Sequence, residues 1–415
     1  MAAVHQGLRI GRLHFTSSDK FQLLEETAMN AEPRRMRFGV FLGPYHRFGV
    51  NPNLAMQRDL ELASHLERLG FDEIWYGEHH SGGVETIASP ELMIAAASQC
   101  TERIRLGTGV SSLPYHQPFV LADRIIQLDH MTRGRMMFGV GPGQLLDDAR
   151  MIGIEPSTQR ARMEEALDVI LRLFAGETVT AKTEWFTLQD AVLQLPRYSN
   201  FEIAVTGAVS ATGPSLAGKY GTSLLSLAAT DPVGLERLAG HWEIVETESA
   251  ASGHVPSRDN WRLHGPMYIA ETFEQAKKDV AYGMPWLLEY LSHIAPTALK
   301  NFDSIDGLVK EINESGRGVV GTPEMAVEQL TRLQEKSGGF GTYLFQGSDY
   351  ARWPNTLRSY ELFAEEVMPR VNGQLEPLKA SVDRVLASGK EGAETTARSQ
   401  AEATERYNRL RAERS

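Results

Sequence analysis

Cysteine is almost absent from this chain: Cys100 stands alone among 415 residues. One thiol excludes a disulfide framework and any zinc site built on cysteine pairs, and it makes a reducing cytoplasm the expected setting. Long apolar runs are missing too. No uninterrupted stretch approaches the roughly 20 residues that a membrane-spanning helix needs. The first 35 residues hold apolar runs too short and broken for a secretory signal. Basic excess is also lacking: 42 Lys and Arg face 53 Asp and Glu, a formal charge of −11, which argues against a nucleic-acid footprint. No internal repeat is visible. HExxH spacing does not occur, so no zinc or iron centre is expected. What is left, 42% hydrophobic and 23% charged residues, is the balance of a globular enzyme with ample chain for a core.

From Met36 onward the pattern alternates strand and helix. Short apolar runs predict strands at Met36–Leu42, Glu73–Tyr76, Ile104–Val110, Arg135–Val140, Phe201–Val205, Ser223–Leu227, Pro266–Ala270 and Gly341–Gln346. Between the first two, Met56, Leu60, Ala63, Leu66 and Leu69 recur at helical spacing, with Asn53 expected as the cap and Gly70 as the stop. Ser157 is expected to cap a second long helix carrying Met163, Leu167, Ile170 and Phe174, and Pro214 to be the first residue of a shorter one. Residues 177–196 read as an inserted hairpin. Eight strands joined by helices predict an α/β fold, a (β/α)8 TIM barrel over 36–373 with insertions. Residues 1–35 form an N-terminal extension outside it. Residues 374–415, rich in Ala, Glu, Arg, Ser and Thr, form a polar tail, read as a solvated helix or a disordered segment.

Chemistry collects at the carboxyl ends of barrel strands, and the second predicted strand ends in Glu78-His79-His80. Alternate pointing keeps the two imidazoles from sharing one ion. For His79, a neutral hydrogen-bonding imidazole or a base near its ordinary pKa stands beside a purely structural role; Glu78 and His80 read as structural ties. The run Gly139–Gly143 implies a backbone approached closely by a ligand or by another strand, and Pro142 spoils it as a dinucleotide fingerprint. Gly107-Thr108-Gly109-Val110 leaves room for a planar ring, or merely turns a barrel corner. Residues 206–214, small and hydroxyl-bearing ahead of a helix, predict an anion pocket for a phosphate, with Arg160 positioned to share it. Phe41, Tyr45, Trp75 and Tyr115 are candidates for an apolar substrate wall. The connection carrying Trp286, Tyr290 and His293 is a candidate lid.

Several ordered pieces carry a family resemblance: Glu78-His79-His80, Leu106-Gly107-Thr108-Gly109 through Leu113-Pro114, Leu128–Arg135, Arg160-Ala161, Val320–Glu324 and Val367-Met368-Pro369. On these the chain resembles the bacterial-luciferase-like flavin monooxygenases. The resemblance implies a two-component system in which a separate NAD(P)H:flavin reductase supplies reduced FMN (FMNH2). Dioxygen adds to the flavin at C4a, and the hydroperoxide inserts one oxygen into an apolar small molecule, by epoxidation, hydroxylation or Baeyer–Villiger insertion. It implies that His79 lies at the flavin and is catalytic, and that Val209, Ser210, Gly213 and Arg160 hold the phosphate. It also implies a non-proline cis peptide at Gly109-Val110 beside the isoalloxazine ring. The family's reactive cysteine position is Gly141 here, and the neighbouring arginine is Pro142. A homo-oligomer, dimer or tetramer, is expected. Two alternatives remain open, a deazaflavin-dependent hydride-transfer oxidoreductase and a non-catalytic flavin-binding subunit.

Overall fold

The computed structural model describes residues 35–294 and 302–414; the expectation for residues 1–34 lies outside them. Twelve strands occur in the described chain: β1 (Arg37–Tyr45), β2 (Glu73–Tyr76), β3 (Arg105–Ser112), β4 (Met136–Gly141), β5 (Val179–Lys182), β6 (Thr187–Ala191), β7 (Glu202–Gly207), β8 (Ser223–Ser226), β9 (Arg262–Gly265), β10 (Met267–Ile269), β11 (Val319–Gly321) and β12 (Thr342–Ser348). Eight of them close a barrel in the order β1-β12-β9-β8-β7-β4-β3-β2. Every pairing within it is parallel. A closed parallel sheet needs helices on its outer face, and the strand-to-helix alternation supplies them. β5 and β6 pair antiparallel as the predicted hairpin, outside the barrel.

The seventh barrel strand is a correction. It is Arg262–Gly265, ahead of the predicted Pro266–Ala270; Met267–Ile269 instead pairs with Val319–Gly321 in a separate two-stranded sheet. Proline has no N–H to give a ladder, so Pro266 separates the two pieces. The Arg-Leu-His-Gly stretch escaped because a buried parallel strand ordinarily reads as a run of branched apolar residues.

Helix ends show the same competition. Asn51, rather than Asn53, caps the helix Pro52–Leu69, its side chain accepting from the N–H groups of Asn53 and Leu54, because Pro52 occupies the first helical position. Gly70 ends that helix in the left-handed region, φ 83°, as expected. Ser157 is not a cap: it lies in the turn Pro156–Thr158, its hydroxyl turned to Glu155, and the helix begins at Gln159. The helix after β7 starts at Thr212, two residues before Pro214.

Three layers fill the barrel along its axis. At the lower end, Arg262 is fully buried, 2.7 Å from Glu73 and 2.5 Å from Glu202. Above it lies Trp75, whose indole N–H donates to Glu73 at 2.8 Å. Side chains at Gly107 and Gly139 would strike this ring, at 2.5 and 2.9 Å. The planar ring accommodated by the small residues of β3 is therefore the protein's own. Phe41, Met137, Ala204, Leu225 and Leu344 complete this layer, and the partly buried Val110 and Leu227 pack on it from above. Beyond the barrel, Leu375–Ala412 is one helix with exposed side chains. No helix of the described residues is long and apolar enough to cross a membrane.

Candidate active site at the barrel rim

His79 leaves the carboxyl end of β2 between two acids. Its Nδ1 is 3.0 Å from Asp148 Oδ2, and its Nε2 is 2.8 Å from Glu85 Oε2. Both carboxylates are buried. Burial alone would lower the imidazole pKa, but the hydrogen bond to Asp148 and the charge of Glu85 push it up to about 9. His79 is thus an imidazolium at neutral pH, which corrects the expectation of a neutral ring or an unperturbed base. Both ring nitrogens are engaged, Nδ1 by Asp148 and Nε2 by Glu85.

Asp148 does more than pair with His79. It accepts from the His80 backbone N–H at 3.0 Å and from the Ser81 hydroxyl at 2.5 Å, which fixes the whole turn after β2. Sequence reasoning missed it. The available signal was an acidic pair, Asp147-Asp148, in the first turn of the helix Leu146–Met151, just after the glycine run of β4. Glu85 was missed as well, since an isolated acid in residues 81–89 carries no pattern. Its other oxygen accepts from Tyr290 Oη at 3.1 Å. Tyr290 belongs to the helix Met284–Ile294, stacks on Trp286 and meets Tyr45 edge-on. The segment read as a candidate lid is thus linked to His79 through Tyr290 and Glu85; His293 lies near the end of the same helix.

Glu78 and His80 fall where the structural reading put them. Glu78 is buried and accepts from the Ser112 N–H at 2.6 Å and from His116 Nε2 at 2.7 Å. Burial would raise its pKa, but the hydrogen bonds from His116 and His80 hold it down to about 2. It thus ties β2 to the turn after β3. In that strand the peptide Gly109-Val110 is cis. A side chain at Gly109 would press on Trp75 and Phe41, and one at Gly141 would meet Val110 at 2.7 Å. Close approach at Gly139 and Gly141 is by neighbouring barrel strands, one of the two possibilities open from sequence.

The remaining candidates separate into places. Trp75 is no pocket wall; it is fully buried within the barrel, because its N–H is committed to Glu73 and its ring lies 5.0 Å from the Arg262 guanidinium. Phe41 closes the top of that layer. Tyr115 stands at the rim with its hydroxyl accepting from Gln159 Nε2 at 3.0 Å. At the other side, Ala211 precedes the helix Thr212–Tyr220 and no side chain caps it, so its first N–H groups stay available to an anion. Ser210 is exposed ahead of it, and Arg160 is exposed in the first turn of Gln159–Phe174. Gly213 is packed against the Thr206 carbonyl, which leaves no space for a side chain. Val209 is held by its carbonyl, which accepts from Arg237 at 2.9 Å.

The sequence pattern of the family described as luciferase-like monooxygenase matches residues 36–339. The chain is 54% identical over 378 residues to limonene 1,2-monooxygenase of Rhodococcus erythropolis, spanning 91% of this chain and 97% of that one. It is 42% identical over 353 residues to 4-hydroxyprotoasukamycin monooxygenase of Streptomyces nodosus subsp. asukaensis, spanning 84% and 95%. Among solved structures, the oxygenating constituent of 3,6-diketocamphane monooxygenase from Pseudomonas putida, in complex with FMN, shares the fold. The TM-score is 0.69 at 24% identity, with coverage of 81% of this chain and 99% of that one.

Proposed function

The chain belongs to the luciferase-like monooxygenases and is an enzyme of that class; from this premise we propose that its upper rim takes reduced FMN and dioxygen and places one oxygen atom into a terpene or another apolar alkene. The observation that carries the reading is the His79 ring at the carboxyl end of a barrel strand, held between the buried Asp148 and Glu85.

The residues present fit such a cofactor. The uncapped start of Thr212–Tyr220, with Val209, Ser210 and Gly213, would receive its phosphate, and Arg160 would add a positive charge. The family resemblance would put its ring beside Gly109, Val110 and Gly141, where the Gly109-Val110 peptide is cis. When bound, reduced FMN supplies the electrons that make dioxygen reactive. The chain does the rest. His79 would lend positive charge to an oxygen that gains negative charge nearby, an electrostatic role matched to its raised pKa. Asp148 and Glu85 fix the ring between them. Phe41, Val110 and Leu227 give the substrate an apolar bed, and the helix bearing Tyr290 keeps water out. A separate NAD(P)H:flavin reductase would reload the cofactor, and a homo-oligomer is the expected assembly.

The test supplies chemically reduced FMN, 18O2 and limonene to the purified chain without a reductase. Product carrying a single 18O supports the reading. Turnover without oxygen would point to hydride transfer with a deazaflavin, and flavin binding with no product to a non-catalytic subunit.

A further inference from the structure

One buried polar group of the barrel mouth has no partner. His264, on β9, lies beside Phe41, ring centroids 5.1 Å apart, and its Nδ1 is 2.9 Å from the Leu227 carbonyl. That oxygen can only accept, so Nδ1 carries the proton and Nε2 keeps a lone pair. Nε2 is buried and has no hydrogen-bond partner. The ring as a whole is partly exposed, beside Phe41 and Leu227 of the apolar bed. Leaving such an acceptor buried without a donor is unfavourable.

We propose that His264 Nε2 is a substrate-recognition site: it accepts a hydrogen bond from a hydroxyl on an otherwise apolar substrate whose skeleton lies against Phe41. The preferred substrate class is therefore an unsaturated terpene alcohol or similar alkenol, not the bare hydrocarbon. This rests on the reading of the rim as an oxygenation site and adds the class of molecule it selects. Burial pushes the His264 pKa down to about 4. The acceptor therefore stays neutral, and the selectivity holds from pH 6 to 9. The acids facing His79 do not alter this: the influences on the His264 ring are its burial and the Leu227 carbonyl. His264 positions and selects; it carries no proton in the reaction.

The experiment compares two matched probes, limonene and perillyl alcohol, by titration against tryptophan fluorescence and by kcat/KM with reduced FMN. The wild-type chain is expected to bind the alcohol about tenfold more tightly, one net hydrogen bond. His264→Phe should remove the preference, and His264→Gln, which retains an acceptor, should restore part of it. Equal binding of the two probes by the wild-type chain overturns the proposal without need of any variant. A preference that survives in His264→Phe overturns it too. So does a variant that loses FMN affinity while keeping the preference, since the nitrogen would then serve the flavin. Selective binding of the alcohol with no oxygenated product from either probe would leave His264 in its place and remove the oxygenase reading instead.

Discussion

Two clusters of buried charge sit at opposite ends of one barrel, and they are built from different chemistry. At the lower end the cation is a guanidinium: Arg262 lies between Glu73 and Glu202, and Arg105 joins Glu202 at 2.7 Å. Burial opposes the ionised carboxylates there, but the Arg262 charge holds both pKa values below the usual range. At the upper end the cation is an imidazolium, between Glu85 and Asp148. Guanidinium stays charged at every working pH; imidazolium does not. The lower cluster therefore acts as a permanent tie between strands, whereas the upper one holds a cation that titrates. Conserving charge and conserving reactivity call for different cations.

The widest gap between the two ends is expected from Arg262→Met. It leaves Glu73 and Glu202 buried without their cation, at a cost of about 3–5 kcal/mol, read as a lowered urea midpoint. Activity per folded molecule should not change, and a midpoint within error of wild type would break the contrast. His79→Ala gives the converse. Oxygenation should fall about 10²–10⁴-fold while FMN still binds; full turnover would remove the role given to the imidazolium.

The third test is pH. The His79 pKa lies above its unfolded value, so its contribution to stability is complete below about pH 6.5 and is lost as pH rises through about 9. The stability difference between wild type and His79→Gln should shrink by about 1–2 kcal/mol between pH 7 and 10. Taking the difference cancels His46, which Asp349 and Asp59 push up to about 10 against its burial. No comparable change should attend the lower cluster. Tyr290→Phe, losing one hydrogen bond to Glu85, should cost about 1 kcal/mol, seen as faster amide exchange across residues 284–294. The smallest effect is expected from Ser210→Ala: FMN affinity should drop less than about fivefold, because backbone donors share the anion.

The same contrast explains what could be read from the chain itself. The barrel and the place of His79 were legible, since apolar runs at regular spacing announce strands and a strand end announces the rim. β9 was not, because its Arg262 is tolerated only by acids 60 and 189 residues away in the chain. No local window contains those partners. The protonation of His79 was hidden in part for the same reason: Glu85 lies in the same loop, but Asp148 is 69 residues away in the chain. The cis peptide at Gly109-Val110 came from family likeness and not from any property of glycine or valine. His264 carries no motif at all; only the barrel brings it to Phe41.

Trp75 has a consequence for traffic. With its indole wedged between Gly107 and Gly139 over the Arg262 cluster, the barrel is plugged below its upper rim. In the function proposed, an outgoing product and the next arrival would therefore compete for one threshold. Widening that threshold would hasten departure and, by the same stroke, let water in.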